Sequence, residues 1–84
     1  MTRMDVIRIN QQNANEVLLI LPAGKVYISR ELWESARPVR EFFESSPSDY
    51  SLKLIGYKLE AYGNYALLRD GNGNYWKSYD ESDA

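Results

Sequence analysis

Two alternating, aromatic-rich segments, YALLRD and NYWKSY, flank the tripeptide Gly71-Asn72-Gly73, and this arrangement limits the possible folds more than any other feature of the chain. Glycine and asparagine accept the backbone conformations that tight turns demand, so residues 65–70 and 74–79 are expected to pair as an antiparallel hairpin. With the loop at residues 71–73, Leu68 faces Trp76 on one surface, while Arg69/Tyr75 and Tyr65/Tyr79 line the other.

The hairpin is the second half of a ribbon, residues 50–79, that carries six of the seven tyrosines. Upstream of it the alternation changes phase: Tyr50, Leu52 and Leu54 are apolar at even positions, and Ile55, Tyr57, Leu59 and Ala61 at odd ones. Such a switch needs a bulge, a sharp bend or two strands, and Gly56 is the natural place for it.

In the first half, residues 4–10 (MDVIRIN) mix β-branched side chains with charges and read as a first strand, followed by a polar loop at 11–15. Residues 16–21 (EVLLIL) are apolar on both faces, which predicts a central strand. Pro22-Ala23-Gly24 fits a type II turn, with glycine supplying a positive φ, and residues 25–29 (KVYIS) pair back with Val26 and Ile28 on one face and Tyr27 on the other. Ser29 then caps a helix whose stripe is Leu32, Ala36, Val39 and Phe43, with Trp33 and Phe42 on its flanks. Pro38 interrupts it, dividing a short turn at 30–36 from a firmer segment at 38–45. Arg30/Glu34, Arg37/Glu41 and Arg40/Glu44 are opposite charges four apart on its solvated side. The segment 45–49 (SSPSD) ends the helix.

The expected architecture is a single α+β domain over residues 1–79, with a short, mobile acidic tail at 80–84. Its sheet is mainly antiparallel, of five to six strands, with one Pro-interrupted helix on one face in the order β-β-β-α-β-β-β. At 84 residues the chain supports only one core.

Composition narrows the chemistry. The chain has no histidine and no cysteine, which removes triads, thiol nucleophiles, disulfides and the usual zinc ligands. Carboxylates remain as candidate acids or bases (Asp49, Glu60, Asp70, Asp80, Glu81), but no pair of them is bracketed by apolar residues in a way that would shift its pKa, so neither catalysis nor a cofactor is expected. Asp70, Asn72, Asn74 and Glu81 have the spacing of a calcium loop, but Tyr75 stands where that loop requires glycine and Lys77 where it packs an apolar residue; a plain hairpin tip is the better reading. The longest aliphatic run, residues 17–21, falls far short of the ~20 residues that span a bilayer, and the N-terminus lacks the apolar stretch of a signal peptide. A cytoplasmic location is expected.

Charge divides unevenly: residues 1–42 carry six basic and five acidic side chains, residues 43–84 four basic and seven acidic. One small core cannot enclose every tyrosine, so part of the set Tyr57, Tyr62, Tyr65, Arg69, Tyr75, Tyr79, Asp80 and Glu81 is expected to form a partner-binding surface for a protein with a basic face. In size, acidity and lack of cysteine and histidine, the chain is similar in general character to small phage-encoded inhibitors such as anti-CRISPR proteins. That likeness implies a non-catalytic inhibitor that blocks the nucleic-acid-handling surface of a larger effector. Two other readings use the same elements: a single-stranded nucleic-acid-binding module, which the acidity of this half disfavours, and a homodimeric structural subunit joined through residues 17–21 or a terminal edge strand.

Overall fold

The computed structural model describes residues 1–45 and 51–81, so the expectations for Tyr50, for most of the segment 45–49 and for the last three residues lie outside the described residues. The elements are α1 (Arg3–Gln12), β1 (Glu16–Leu21), β2 (Gly24–Ser29), α2 (Arg30–Ser35), β3 (Arg37–Pro38), α3 (Val39–Ser45), β4 (Lys53–Leu59), β5 (Gly63–Arg69) and β6 (Tyr75–Glu81). They build an α+β domain around one sheet of order β2-β1-β4-β5-β6-β3, antiparallel except where β3 runs parallel to β6.

The first segment is a helix, not the expected strand. Thr2 accepts a hydrogen bond from the Asp5 backbone N–H, and the Asp5 carboxylate accepts one from the Thr2 N–H, a reciprocal cap that satisfies two otherwise orphaned donors. The β-branched content of VIRI misleads, because Val6, Ile7 and Asn10 are the buried residues and their spacing is helical.

Helix α1 lies against β1 through Asn10, whose amide donates to the Leu18 carbonyl at 3.1 Å and accepts from the Leu18 N–H at 2.7 Å. β1 and β4 pair at Ile20–Tyr57, and the buried Asn10 serves the backbone of Leu18 where the two strands part.

β1 is the central strand its sequence predicts, with Val17, Leu18 and Leu19 fully enclosed. The β1–β2 turn differs in detail: Gly24 lacks a positive φ, so Pro22 and Ala23 form the two-residue loop without help from the glycine. Val26 and Ile28 pack on the core cluster of Val17, Leu19, Trp33, Ala36 and Leu67, while Tyr27 is exposed on the opposite face.

The single interrupted helix is replaced by two helices separated by an extended step. Ser29 caps α2 by accepting from the Leu32 N–H at 3.1 Å, and Ala36 leaves the helix in an extended conformation. Arg37 and Pro38 then lie beside Trp76 and Lys77 as strand β3 before α3 begins at Val39. The residue before a proline avoids the helical region, which makes Arg37 a strand residue. This break also rotates the apolar stripe: Trp33 and Phe42 are buried, whereas Phe43, expected to face inward, is 46% exposed. Of the expected ion pairs, Arg37–Glu41 forms at 2.9 Å, whereas Arg30 instead donates to the carbonyls of Asn10, Asn13 and Ala14 and ties the α1–β1 connection to α2.

The phase switch in the ribbon is a bulge between Leu54 and Gly56 in β4. It keeps Leu54 and Tyr57 on one face and turns Ile55 to the other, where it joins the core cluster. A Cβ on Gly56 would stand 2.9 Å from Leu19 Cβ, so glycine there lets β4 approach β1. Paired residues share a face. By this rule α2 covers the face of Val17, Leu19, Leu67 and Tyr65, and α1 and α3 cover the face of Leu18, Tyr57 and Trp76. The observed order is therefore α-β-β-α-β-α-β-β-β, with helices on both faces of the sheet. Among the described residues, no helix is long and apolar enough to cross a membrane.

Candidate functional site

The expected partner-binding residues divide three ways. The hairpin register is as the sequence predicts, with Leu68 opposite Trp76, Arg69 opposite Tyr75 and Tyr65 opposite Tyr79. Tyr65 and Arg69 are four residues apart on one strand, about 13 Å, so the two cross-strand pairs stand at opposite ends of the sheet. Tyr57 lies on the other face, opposite Ala66 and Ile20. Tyr75 packs on the core cluster, and the exposed Arg69 reaches along the turn towards Gly73.

What remains together is one end of the sheet. Tyr62 protrudes from the β4–β5 turn with 76% of its surface exposed, and Tyr79 is 44% exposed. Asp80 and Glu81 are not a mobile tail: both belong to β6, paired with Asn64 and Gly63. Tyr62, Tyr79, Asp80 and Glu81 therefore lie at the same end of the sheet, at the β4–β5 turn and the adjoining end of β6, with Tyr79 and Glu81 on the α2 face and Asp80 between them on the other.

This end is held in place by its neighbours. The Arg3 guanidinium donates to the Glu60 carbonyl, at 3.0 Å from Nε and 2.6 Å from Nη2, and also to the Gly63 carbonyl, while the Glu60 N–H donates to the Gly63 carbonyl at 2.9 Å. Lys58 Nζ pairs with the Glu60 carboxylate. The Tyr79 ring lies across Gly63, where a Cβ would be 2.8 Å from its hydroxyl and would run into the Asp80 carbonyl oxygen. Its other side meets Tyr65 at 4.8 Å between centroids. Sequence reasoning missed both Arg3 and Gly63 as supports, although a glycine opening a strand beside tyrosines is a signal of close approach.

Tyr65 does different work. It is half-buried, with its ring edge-on to Trp33 at 5.5 Å and 84°. Two ammonium groups also lie on Trp33, Lys77 Nζ at 4.7 Å and Lys58 Nζ at 5.6 Å from the ring centroid. Burial pushes the Lys77 ammonium below the ordinary lysine range; nearby Glu34 opposes that shift and Lys58 adds to it. On this face the described rings contact one another and the lysine ammoniums rest on Trp33.

The hairpin tip, with a calcium loop's spacing, is organised by its own donors. Asp70 Oδ1 accepts from the N–H groups of Asn72 at 2.8 Å and Asn74 at 2.9 Å, and Oδ2 accepts from the Trp76 indole at 3.0 Å. These bonds, the indole's foremost, hold the Asp70 carboxyl below the usual aspartate range against its burial. Among the described residues, no group of three or more acidic, histidine or cysteine side chains is arranged to hold a metal ion.

No family model matches this chain, and neither the curated proteins nor the solved structures contain a match.

Proposed function

We propose that the protein is a non-catalytic binding module that uses the end formed by Tyr62, Tyr79, Asp80 and Glu81 to occupy a basic surface of a larger protein, as a small inhibitor of a nucleic-acid-handling effector would. The observation that carries this reading is that Tyr62 and Tyr79 are exposed near two carboxylates that, among the described residues, make no ion pair. Both tryptophans are already engaged: Trp33 holds two lysines, and Trp76 holds Arg37 at 5.4 Å. Rigid rings exclude water at small entropic cost, and adjacent carboxylates steer a basic partner into place. Tyr79 is also pre-positioned, wedged between Gly63 and Tyr65, which lowers the ordering cost of binding.

The test uses two double variants as bait, Tyr62→Ser/Tyr79→Ser and Asp80→Asn/Glu81→Gln, alongside the wild type in host lysate. Support consists of a protein retained by the wild type, lost by both variants, and released both by rising salt and by competing oligonucleotide. A retained protein that both variants still hold, or that oligonucleotide fails to release, rejects this surface.

A further inference from the structure

The sheet has two edges of unlike character. One is made by β3, two residues long and containing Pro38, which has no N–H to offer a further strand, and by the part of β6 beyond Lys77, which carries Asp80 and Glu81. The other is β2, six residues long and paired only with β1. Leu21 and Gly24 face each other across a two-residue turn, so they form a hydrogen-bonded pair, as do Leu19/Val26 and Val17/Ile28 in alternation. The N–H and C=O groups of Lys25 and Tyr27 consequently point away from β1, and none of the described residues takes them up.

We propose that β2 pairs antiparallel with β2 of a second copy, about a twofold axis at Tyr27. In this register Lys25 opposes Ser29 of the second copy, Val26 opposes Ile28 and Tyr27 opposes Tyr27, so no like charges face each other. Val26 with Ile28 forms a β-branched pair that extends the α2 face, and the two exposed Tyr27 rings meet on the other face. At the far edge β3 is short and holds Pro38, and the part of β6 that β3 leaves unpaired carries Asp80 and Glu81, so that edge resists pairing with its own copy, whereas β2 is self-complementary and closes an isologous dimer. The edge carries a single lysine and no proline, so it lacks most of the devices that keep exposed strands apart. This contact is independent of the Tyr62–Tyr79 end, which lies at the β4–β5 turn.

Sedimentation and amide hydrogen exchange, run on the wild type from about 1 µM to 1 mM, test the pairing. The expected result is a monomer–dimer equilibrium in which the Lys25 and Tyr27 amides gain protection in proportion to the dimer fraction, while Val26 and Ile28 are protected at every concentration. Tyr27→Pro removes an N–H that faces away from β1 and should abolish the dimer without disturbing the β1–β2 ladder. If that variant does not fold, Tyr27→Lys sets two like charges across the axis and should give the same loss. A wild type that stays monomeric throughout, or a dimer that survives the folded Tyr27 variant, overturns the proposal. So does protection of Lys25 and Tyr27 seen only on adding a different polypeptide, which would assign the edge to that partner.

Discussion

The Asp70 carboxylate and the Trp76 indole are joined by a 3.0 Å hydrogen bond across the β5–β6 turn, and the same carboxylate gathers the N–H groups of Asn72 and Asn74. Because these bonds favour the charged form, the folded-state pKa of Asp70 lies below its unfolded value of about 3.9. The stability they contribute is therefore fully present above that unfolded value and is lost as pH falls through the folded one. Asp5, held down by its bonds with Thr2, acts in the same direction. Thermal melts should show stability falling below about pH 4, with a change in Trp76 fluorescence. Asp70→Asn should lower the melting temperature at neutral pH and flatten that acid dependence. An unchanged acid slope in the variant would remove Asp70 as its source.

Asn10 offers a sharper test of how α1 docks. Replacing it with leucine leaves the Leu18 N–H and C=O buried without partners, a loss of about 2–4 kcal/mol. Asn10→Asp keeps an acceptor for the N–H but turns an oxygen towards the Leu18 carbonyl. Its destabilisation should accordingly be larger at pH 7 than at pH 4, where the carboxyl can donate. Urea melts of both variants at the two pH values measure this. Equal losses for the aspartate variant at both would argue that the amide does not bridge helix and strand.

The tyrosines should separate by role. Tyr65→Ala removes a ring packed on Trp33 and is expected to cost about 1–3 kcal/mol. Tyr62→Ala, at a position with 76% exposure, should stay within about 0.5 kcal/mol of wild type. Denaturant midpoints decide between these assignments. A costly Tyr62 substitution would mean that it supports the fold and is not held in reserve for a partner.

How far this was readable from the sequence depends on which forces are local. The hairpin register, the Gly56 bulge, the central strand and the Ser29 cap follow from periodicity and turn chemistry within a few residues, and all four stand in the structure. Helix α1 was obscured because Val6, Ile7 and Ile9 have strand propensity, and the outweighing signal, the Thr2–Asp5 cap, lay just upstream. The tyrosine face was harder still. Tyr65 and Tyr75 line the core because Trp33 and Ala36 descend on their side of the sheet, and that depends on the break at Arg37–Pro38, a tertiary arrangement that alternation alone does not encode. Asp80 and Glu81 resembled a solvated tail because strand pairing with Asn64 and Gly63 leaves no mark in their own composition.

Three glycines in or beside the β5–β6 hairpin give a graded final test, because each is glycine for a different reason. Gly63 has no room for a Cβ, which would collide with the Asp80 carbonyl and press on the Tyr79 ring; Gly63→Ala should force strands β5 and β6 apart and cost about 1–3 kcal/mol or more. A Cβ on Gly73 would stand 3.3 Å from the Arg69 guanidinium, the movable end of an exposed side chain, but the φ of 85° strains any L residue, so Gly73→Ala should cost about 1–2 kcal/mol, chiefly through the backbone. Gly71 has open space around it and no positive φ, and Gly71→Ala should be neutral or stabilise by up to about 1 kcal/mol by restricting the unfolded chain. Guanidinium melts of the three variants should therefore rank Gly63 as most damaging, then Gly73, then Gly71. Only the first should also weaken capture of a partner by the Tyr62–Tyr79 end, because only Gly63 supports the Tyr79 ring. A Gly71 variant as damaged as the other two would contradict the turn geometry, and a Gly63 variant with unchanged stability would contradict the close approach of β6.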